Sequence, residues 1–207
     1  MLIGVMGFIG SGKGTVSDYL VDQKQFTKDS FASSLKDACS VIFDWPRDML
    51  EGDTAESRAY REVTDEWWSK ELSIPNFSPR LALQLVGTDA IRTHFHPDIW
   101  FLTVKNRIQK NPNNDVVIAD VRFPNEMQMV RDLGGILVWV KRGPNPVWYD
   151  IAVSANRGDE DAWNEMKTNF PEAHYSEWAW AGSPVNHEIV NEDTLEILYD
   201  NVERTLF

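Results

Sequence analysis

The chain has 207 residues, 43% of them hydrophobic, and a formal net charge of −12. That size fits one domain with a buried core. No apolar run approaches the roughly 18 residues of a membrane span, and so acidic a chain disfavours nonspecific DNA or RNA binding, which needs a basic face. Cys39 is the sole cysteine, which excludes an intrachain disulfide and fits a reducing compartment.

Residues 2–6, "LIGVM", read as a short buried strand ending at Gly7. "MGFIGSGKGT" follows as a phosphate-binding loop, and residues 13–22 read as a helix with Val16, Tyr19 and Leu20 on one face. Strand, glycine loop and helix in that order are the context such a loop requires. Gly7, Gly10, Gly12 and Gly14 let the backbone approach phosphate oxygens, and the helix adds its positive end. Lys13 is placed to bridge the β- and γ-phosphates as a point charge. Ser or Thr usually follows this lysine directly, but here Gly14 intervenes before Thr15. "GSGKGT" resembles the loop of nucleoside monophosphate kinases such as adenylate kinase. It points to small-molecule phosphotransfer and away from a GTPase switch.

Residues 26–32 suggest a second strand, and "SSLKDACSVIF" a helix from Ser33. Residues 54–71, which include Trp67 and Trp68, read as a further helix. Residues 79–93 pattern as a helix with Leu81, Ala82, Leu85, Val86 and Ala90 on one side. Gly87 lies inside it and costs about 1 kcal/mol relative to Ala, so it needs a reason. Either a base or sugar approaches the backbone there, or two helices pack closely.

"DVVIAD", 115–120, reads as a fully buried parallel strand ending in Asp120. That carboxylate is placed to hold Mg²⁺ through water or to accept hydrogen bonds from substrate. Arg122 beside it suits a bidentate phosphate clamp. Glu126 either orients Arg122 or forms with it a local ion pair capping a helix over 124–133, which Pro124 opens. Residues 135–140 and 187–190 complete the strands. Asp193 with Glu196 makes a capping pair for a last helix whose inner stripe is Leu195, Leu198 and Val202.

Strands alternating with helices predict a three-layer α/β fold, a parallel sheet of about five strands with helices on both faces. Ligands in such sheets bind at the carboxyl ends of the strands. Residues 143–186 break the alternation with four prolines and four tryptophans, and read as a lid-like insert. Trp148, Trp163, Trp178 and Trp180 are candidates to cover a nucleotide. His94 and His96 lack further ligands at zinc spacing, Cys39 reads as a small buried hydrophobe, and Asp159–Asp161 as solvated surface.

"LKDA" at 35–38, "LVGTD" at 85–89, Trp100 after "HPDI", "DVRFPNE", "HYSE" at 174–177 and the final "HEIVNEDTLEIL" resemble stretches of the phage deoxynucleoside monophosphate kinases. The likeness is weak over 45–75 and 143–173. It implies one P-loop kinase domain over 1–207, with 45–75 as an acceptor-side insert and 143–186 as the lid. It implies ATP and Mg²⁺ as cofactors and a deoxynucleoside monophosphate as acceptor: dGMP, dTMP or a dCMP form. Gly10, Ser11, Gly12, Lys13, Gly14 and Thr15 then hold the ATP phosphates, and Thr15 meets the metal directly or through water. Lys36, Arg58, Arg80, Gly87, Thr88, Trp100, Asp120, Arg122 and Glu126 line the acceptor, with Lys13, Arg122 and Asp120 nearest the chemistry. A homodimer and the cytoplasm, that of the host for a phage-encoded chain, are the implied setting, with no nucleic acid polymer or membrane as partner. Two other readings stay open: a kinase of this fold with another small acceptor, such as dephospho-coenzyme A, and a noncatalytic nucleotide-binding regulator.

Overall fold

In the computed structural model, which describes all 207 residues, the first strand sets the frame. β1 (Leu2–Met6) is buried along its whole length. It pairs in parallel with β3 (Val116–Ile118) on one side and β4 (Ile136–Lys141) on the other. β2 (Thr27–Asp29) and β5 (His187–Val190) complete an all-parallel sheet of order β2-β3-β1-β4-β5. The continuous apolar runs of β1, β3 and β4 follow from burial on both faces.

The two faces separate by residue parity along β1. Ile3 and Val5 join Val16 and Leu20 of α1 (Lys13–Lys24) and Leu198 and Val202 of α11 (Leu195–Leu206) in one cluster. Gly4 points the other way. A Cβ there would lie 3.0–3.1 Å from Leu137, Val121 and Val130, the last on α7 (Pro124–Asp132). The Asp193–Glu196 cap is corrected: Thr194 caps α11, its hydroxyl accepting from Ile197 N–H. Leu195 stands 49% exposed outside the inner stripe, which leaves Leu198 and Val202.

The chain divides into two compact units, Met1–Asp29 with Asn111–Phe207, and Ser30–Lys110. The first carries the sheet and the segment 143–186, which folds as α8 (Tyr149–Asn156), α9 (Glu160–Asn169) and α10 (Tyr175–Trp178). These helices share a core of Ala152, Ala155, Ala162, Met166 and Trp178.

The second unit is helical: α2 (Ser33–Phe43), a 3-10 turn at Asp48–Leu50, α3 (Ala55–Glu62), α4 (Glu66–Glu71), α5 (Pro79–Gln84) and α6 (Ile99–Lys110). The single helix expected over 54–71 is two. Val63 is extended, and Asp65 caps the second helix by accepting from Trp68 N–H while also accepting from Trp45 Nε1. The helix expected over 79–93 turns into a π-helix at Leu85–Arg92. Wider turns of this kind are rare and cluster at functional sites. No helix is long and apolar enough to cross a membrane.

The tight layer around Gly4 gives a direct test. Gly4→Val overpacks Val121, Val130 and Leu137, and should destabilise the chain by about 1–3 kcal/mol in urea unfolding. An unchanged midpoint would show that this layer has room to spare.

Candidate active site

β1 ends at Met6, and the chain enters a loop whose shape needs glycine. Gly7 has φ +146° and Gly12 φ +100°, both outside what side chains favour. A Cβ on Gly7 would collide with the Val140 carbonyl, and one on Gly12 with the Asn191 side chain. Gly14 differs. It lies in the first turn of α1, and nothing stands within 4 Å of where its Cβ would be. Its missing side chain leaves the surface at the helix N-terminus open, where backbone N–H groups and the helix dipole favour an anion.

Lys13 is held in that loop. Its Nζ donates to the carbonyls of Gly7 and Phe8, both at 2.8 Å. Burial, followed by the charge of Arg122, pulls its pKa down to about 8, while the Glu177 carboxylate works in the opposite direction. Lys13 and Arg122 are thus close enough to repel, as two cations poised for one polyanion would be.

Arg122 reaches this position from the end of β3. The strand stops at Ile118, so Asp120 is not its last residue as the sequence suggests but lies in the turn beyond. Val121 N–H donates to the Val5 carbonyl, and its side chain is 2% exposed. That buried valine fixes Asp120 and Arg122 on either side of it. Glu126 is 6% exposed and accepts from the backbone N–H of Arg122 and Phe123. It caps α7 and fixes Arg122 through its main chain.

Two positioning residues in this unit carry no signal in the sequence beyond their location. Asn191, just after β5, donates from Nδ2 to the Ser11 carbonyl at 2.8 Å. Phe8, a loop position between Gly7 and Gly10, sits in an aromatic cluster with Trp180, Trp148, Tyr149 and Trp139, at centroid distances of 4.9, 5.5, 5.9 and 6.4 Å. Segment 143–186 is therefore fastened to the loop. Trp180, 2% exposed, is taken up by this packing, and Trp178, 3% exposed, by the core of α8–α10, where it meets Trp163 and Tyr175, so neither is free to cover a ligand. His174 caps the short α10, its ring accepting from Ser176 N–H.

The helical unit holds the other expected residues. Lys36 is 9% exposed and pairs with Glu51 at 2.6 Å. Arg58 is exposed and donates to the Asp53 carbonyl at 2.8 Å. Arg80, also exposed, pairs with Glu62. Thr88 is exposed in the π-helix, and its carbonyl accepts from Thr93 Oγ1. Gly87 has a packing reason: it is buried, and a Cβ would come 2.5 Å from Leu35 of α2. Its carbonyl accepts from Trp100 Nε1 at 2.8 Å. The Trp100 ring, with its N–H satisfied, walls a cavity of about 530 Å³ together with Ala38, Ile91, His94, Phe95 and Ile99. Cys39 is fully buried, and burial pushes its thiol up to about 11, so it is inert.

The depressed Lys13 pKa predicts proton-linked binding. A bound polyphosphate favours the ammonium, so ATP binding should take up little proton at about pH 7, about half at about pH 8 and nearly one at about pH 9. Calorimetry in buffers of different ionisation enthalpy measures this, and Lys13→Met should abolish it. Gly14→Ala should fold with unchanged or slightly raised stability yet weaken ATP about tenfold, because the new methyl stands where the phosphates approach. Tight ATP binding by this variant would place the phosphates elsewhere.

The deoxynucleotide monophosphate kinase family matches residues 47–152. That span includes Arg58, Arg80, Trp100, Asp120 and Arg122 but neither the glycine loop nor Lys36. A protein of Acanthamoeba polyphaga mimivirus assigned the deoxynucleotide monophosphate kinase name is 35% identical over 156 residues, 69% of this chain and 74% of its own length. The deoxynucleoside-5′-monophosphate kinase of Escherichia phage T5 is 46% identical over 55 residues, 27% of this chain and 22% of the phage protein. Among solved structures, shikimate kinase from Aquifex aeolicus aligns with 99% of this chain and 94% of its own, at 13% identity and a TM-score of 0.45, too distant to bear on activity. The chain belongs to the deoxynucleotide monophosphate kinase family and is a kinase.

Proposed function

We propose that the chain transfers the γ-phosphoryl group of ATP to a deoxynucleoside 5′-monophosphate, with dGMP, dTMP or a dCMP form as acceptor, giving the diphosphate and ADP. The observation that carries the donor half is the Lys13 ammonium, held at 2.8 Å on two loop carbonyls, with the Arg122 charge near it. Family membership supports the acceptor half.

In this reading an oxygen of the acceptor phosphate forms a bond to the γ-phosphorus as the bond to the β,γ-bridging oxygen breaks. The nucleophile is already an anionic oxygen, so no strong general base is needed. Lys13 and the loop N–H groups stabilise charge on the transferring group and the leaving ADP. Arg122 neutralises the γ-phosphoryl oxygens or the acceptor phosphate. Thr15 in the first turn of α1 and the carboxylate of Asp120 offer hard oxygen donors, which suit Mg²⁺ held largely by phosphate oxygens. When bound, the metal neutralises phosphate charge.

Lys36, Arg58 and Arg80 hold the acceptor phosphate. Arg80 must leave Glu62 to do so, which costs little for so exposed a pair. The cavity beside Trp100 offers the base an apolar wall, and its size is in the range of small-ligand sites. The α8–α10 segment, fastened at Phe8, covers the loop side and limits water, the competing acceptor.

The test is a phosphotransfer assay with ATP, Mg²⁺ and each of the eight common nucleoside and deoxynucleoside monophosphates, resolved by chromatography, with dephospho-coenzyme A as a further acceptor. One or more deoxy-monophosphates should become diphosphates, and Lys13→Ala should lose at least about a hundredfold in rate. ATP binding without conversion of any monophosphate would overturn the reading.

A further inference from the structure

Glu51 lies at the end of the 3-10 turn and gathers cations from three directions in the helical unit. Its Oε2 accepts from Lys36 Nζ of α2 at 2.6 Å, and its Oε1 from Arg47. Its main-chain carbonyl accepts from Arg61 Nη1 of α3 at 3.2 Å and from Lys36 Nζ at 3.4 Å. Arg58 donates to the next two carbonyls, Asp53 at 2.8 Å and Gly52 at 3.5 Å. Gly52 has φ +75°, and a Cβ there would collide with the Arg61 guanidinium, so this turn is shaped to let the guanidinium lie against it. Arg47 is braced on its other side by Asp37, 2.5 Å from Nε.

The sequence has only 20 Lys and Arg against 32 Asp and Glu, yet four of those cations converge on residues 51–53. Here Lys36 is buried, and one carboxylate is shared between it and Arg47. Asp37 is a second carboxylate on Arg47, so Glu51 and Asp37 together balance Lys36 and Arg47, and the charge offered to an incoming anion comes from Arg58. Main-chain carbonyls orient Arg58 without cancelling its charge.

We propose that Glu51 is a positioning residue for the acceptor: it holds Lys36, Arg47 and Arg61 as one preorganised cluster that receives the phosphate of the deoxynucleoside monophosphate. This rests on the acceptor assignment made above, and adds Glu51, Arg47 and Arg61 to it. Partial burial works against ionisation of Glu51, but its hydrogen bond and charge contact with Lys36, and then with Arg47, hold its carboxyl below the usual range, so it is charged at neutral pH.

Glu51→Gln keeps the size of the side chain and removes its charge. On the intact chain, the KM for the preferred deoxynucleoside monophosphate should rise about tenfold or more. The KM for ATP and the kcat at saturating acceptor should stay within about threefold. In a Lys36→Met background, adding Glu51→Gln should raise the acceptor KM by no more than about twofold, because Glu51 acts through Lys36. An unchanged acceptor KM, or full additivity with Lys36→Met, overturns the proposal. Equal rises in both KM values with a lowered melting temperature also overturn it, since they mark a merely structural residue. If Glu51→Gln does not fold, Arg47→Gln at the edge of the cluster replaces it, with an expected rise of about threefold in acceptor KM alone; no rise overturns the proposal. A wild-type chain that converts no monophosphate marks failure of the acceptor reading itself, and this inference falls with it.

Discussion

The two hydrogen bonds from Lys13 Nζ to the Gly7 and Phe8 carbonyls fix the geometry on which the nucleotide end depends. A lysine side chain is flexible, and an ammonium in water spends its charge on solvent. Here two fixed carbonyls orient it, and partial burial makes it readier to exchange them for phosphate oxygens. The carbonyls are themselves fixed. β1 is locked between two parallel neighbours, Gly7 turns the chain where no side chain fits, and Phe8 is gripped by four aromatic rings. The same layer positions Arg122, because Val121 packs over Gly4 and bonds to Val5.

Charge is distributed with similar economy. A chain of net charge −12 repels polyanions at long range, so it must concentrate its cations where phosphates are handled. In the proposed reading Lys13 and Arg122 do this in the sheet unit, and Lys36, Arg47, Arg58 and Arg61 do it in the helical unit around the turn at Glu51. Lys13 and Arg58 are held by main-chain carbonyls, which orient a cation without cancelling its charge.

Much of the fold was legible because its signals are local. The apolar runs at 2–6, 115–120 and 135–140 mark β1, β3 and β4, and the glycine loop stands between β1 and α1 as its spacing predicts. What was not legible depends on distant partners. The break between α3 and α4 comes from Asp65, which serves Trp68 and Trp45 at once. The π-helical turn at Leu85–Arg92 keeps the apolar spacing of an ordinary helix, so periodicity does not reveal it. Gly87 was undecided between ligand approach and packing until Leu35 appeared against it. Phe8 looks like a spacer in the loop, and only the fold brings residues 139–180 around it. Of the tryptophans in 143–186, Trp178 and Trp180 are buried in packing that the sequence does not reveal, while Trp148 and Trp163 are half-buried.

Phe8 offers the sharpest test of this arrangement, since it touches the loop without itself presenting charge to the phosphates. Calorimetric titration of ATP with Mg²⁺ into the wild-type chain and into Phe8→Ala, with circular dichroism to confirm folding, isolates its role. If the aromatic anchor sets the carbonyls that hold Lys13, the folded variant should bind ATP at least about tenfold more weakly, a loss of about 1.4 kcal/mol. Equal affinity in a folded Phe8→Ala chain would contradict it, and would mean that the glycine turns alone suffice to place Lys13.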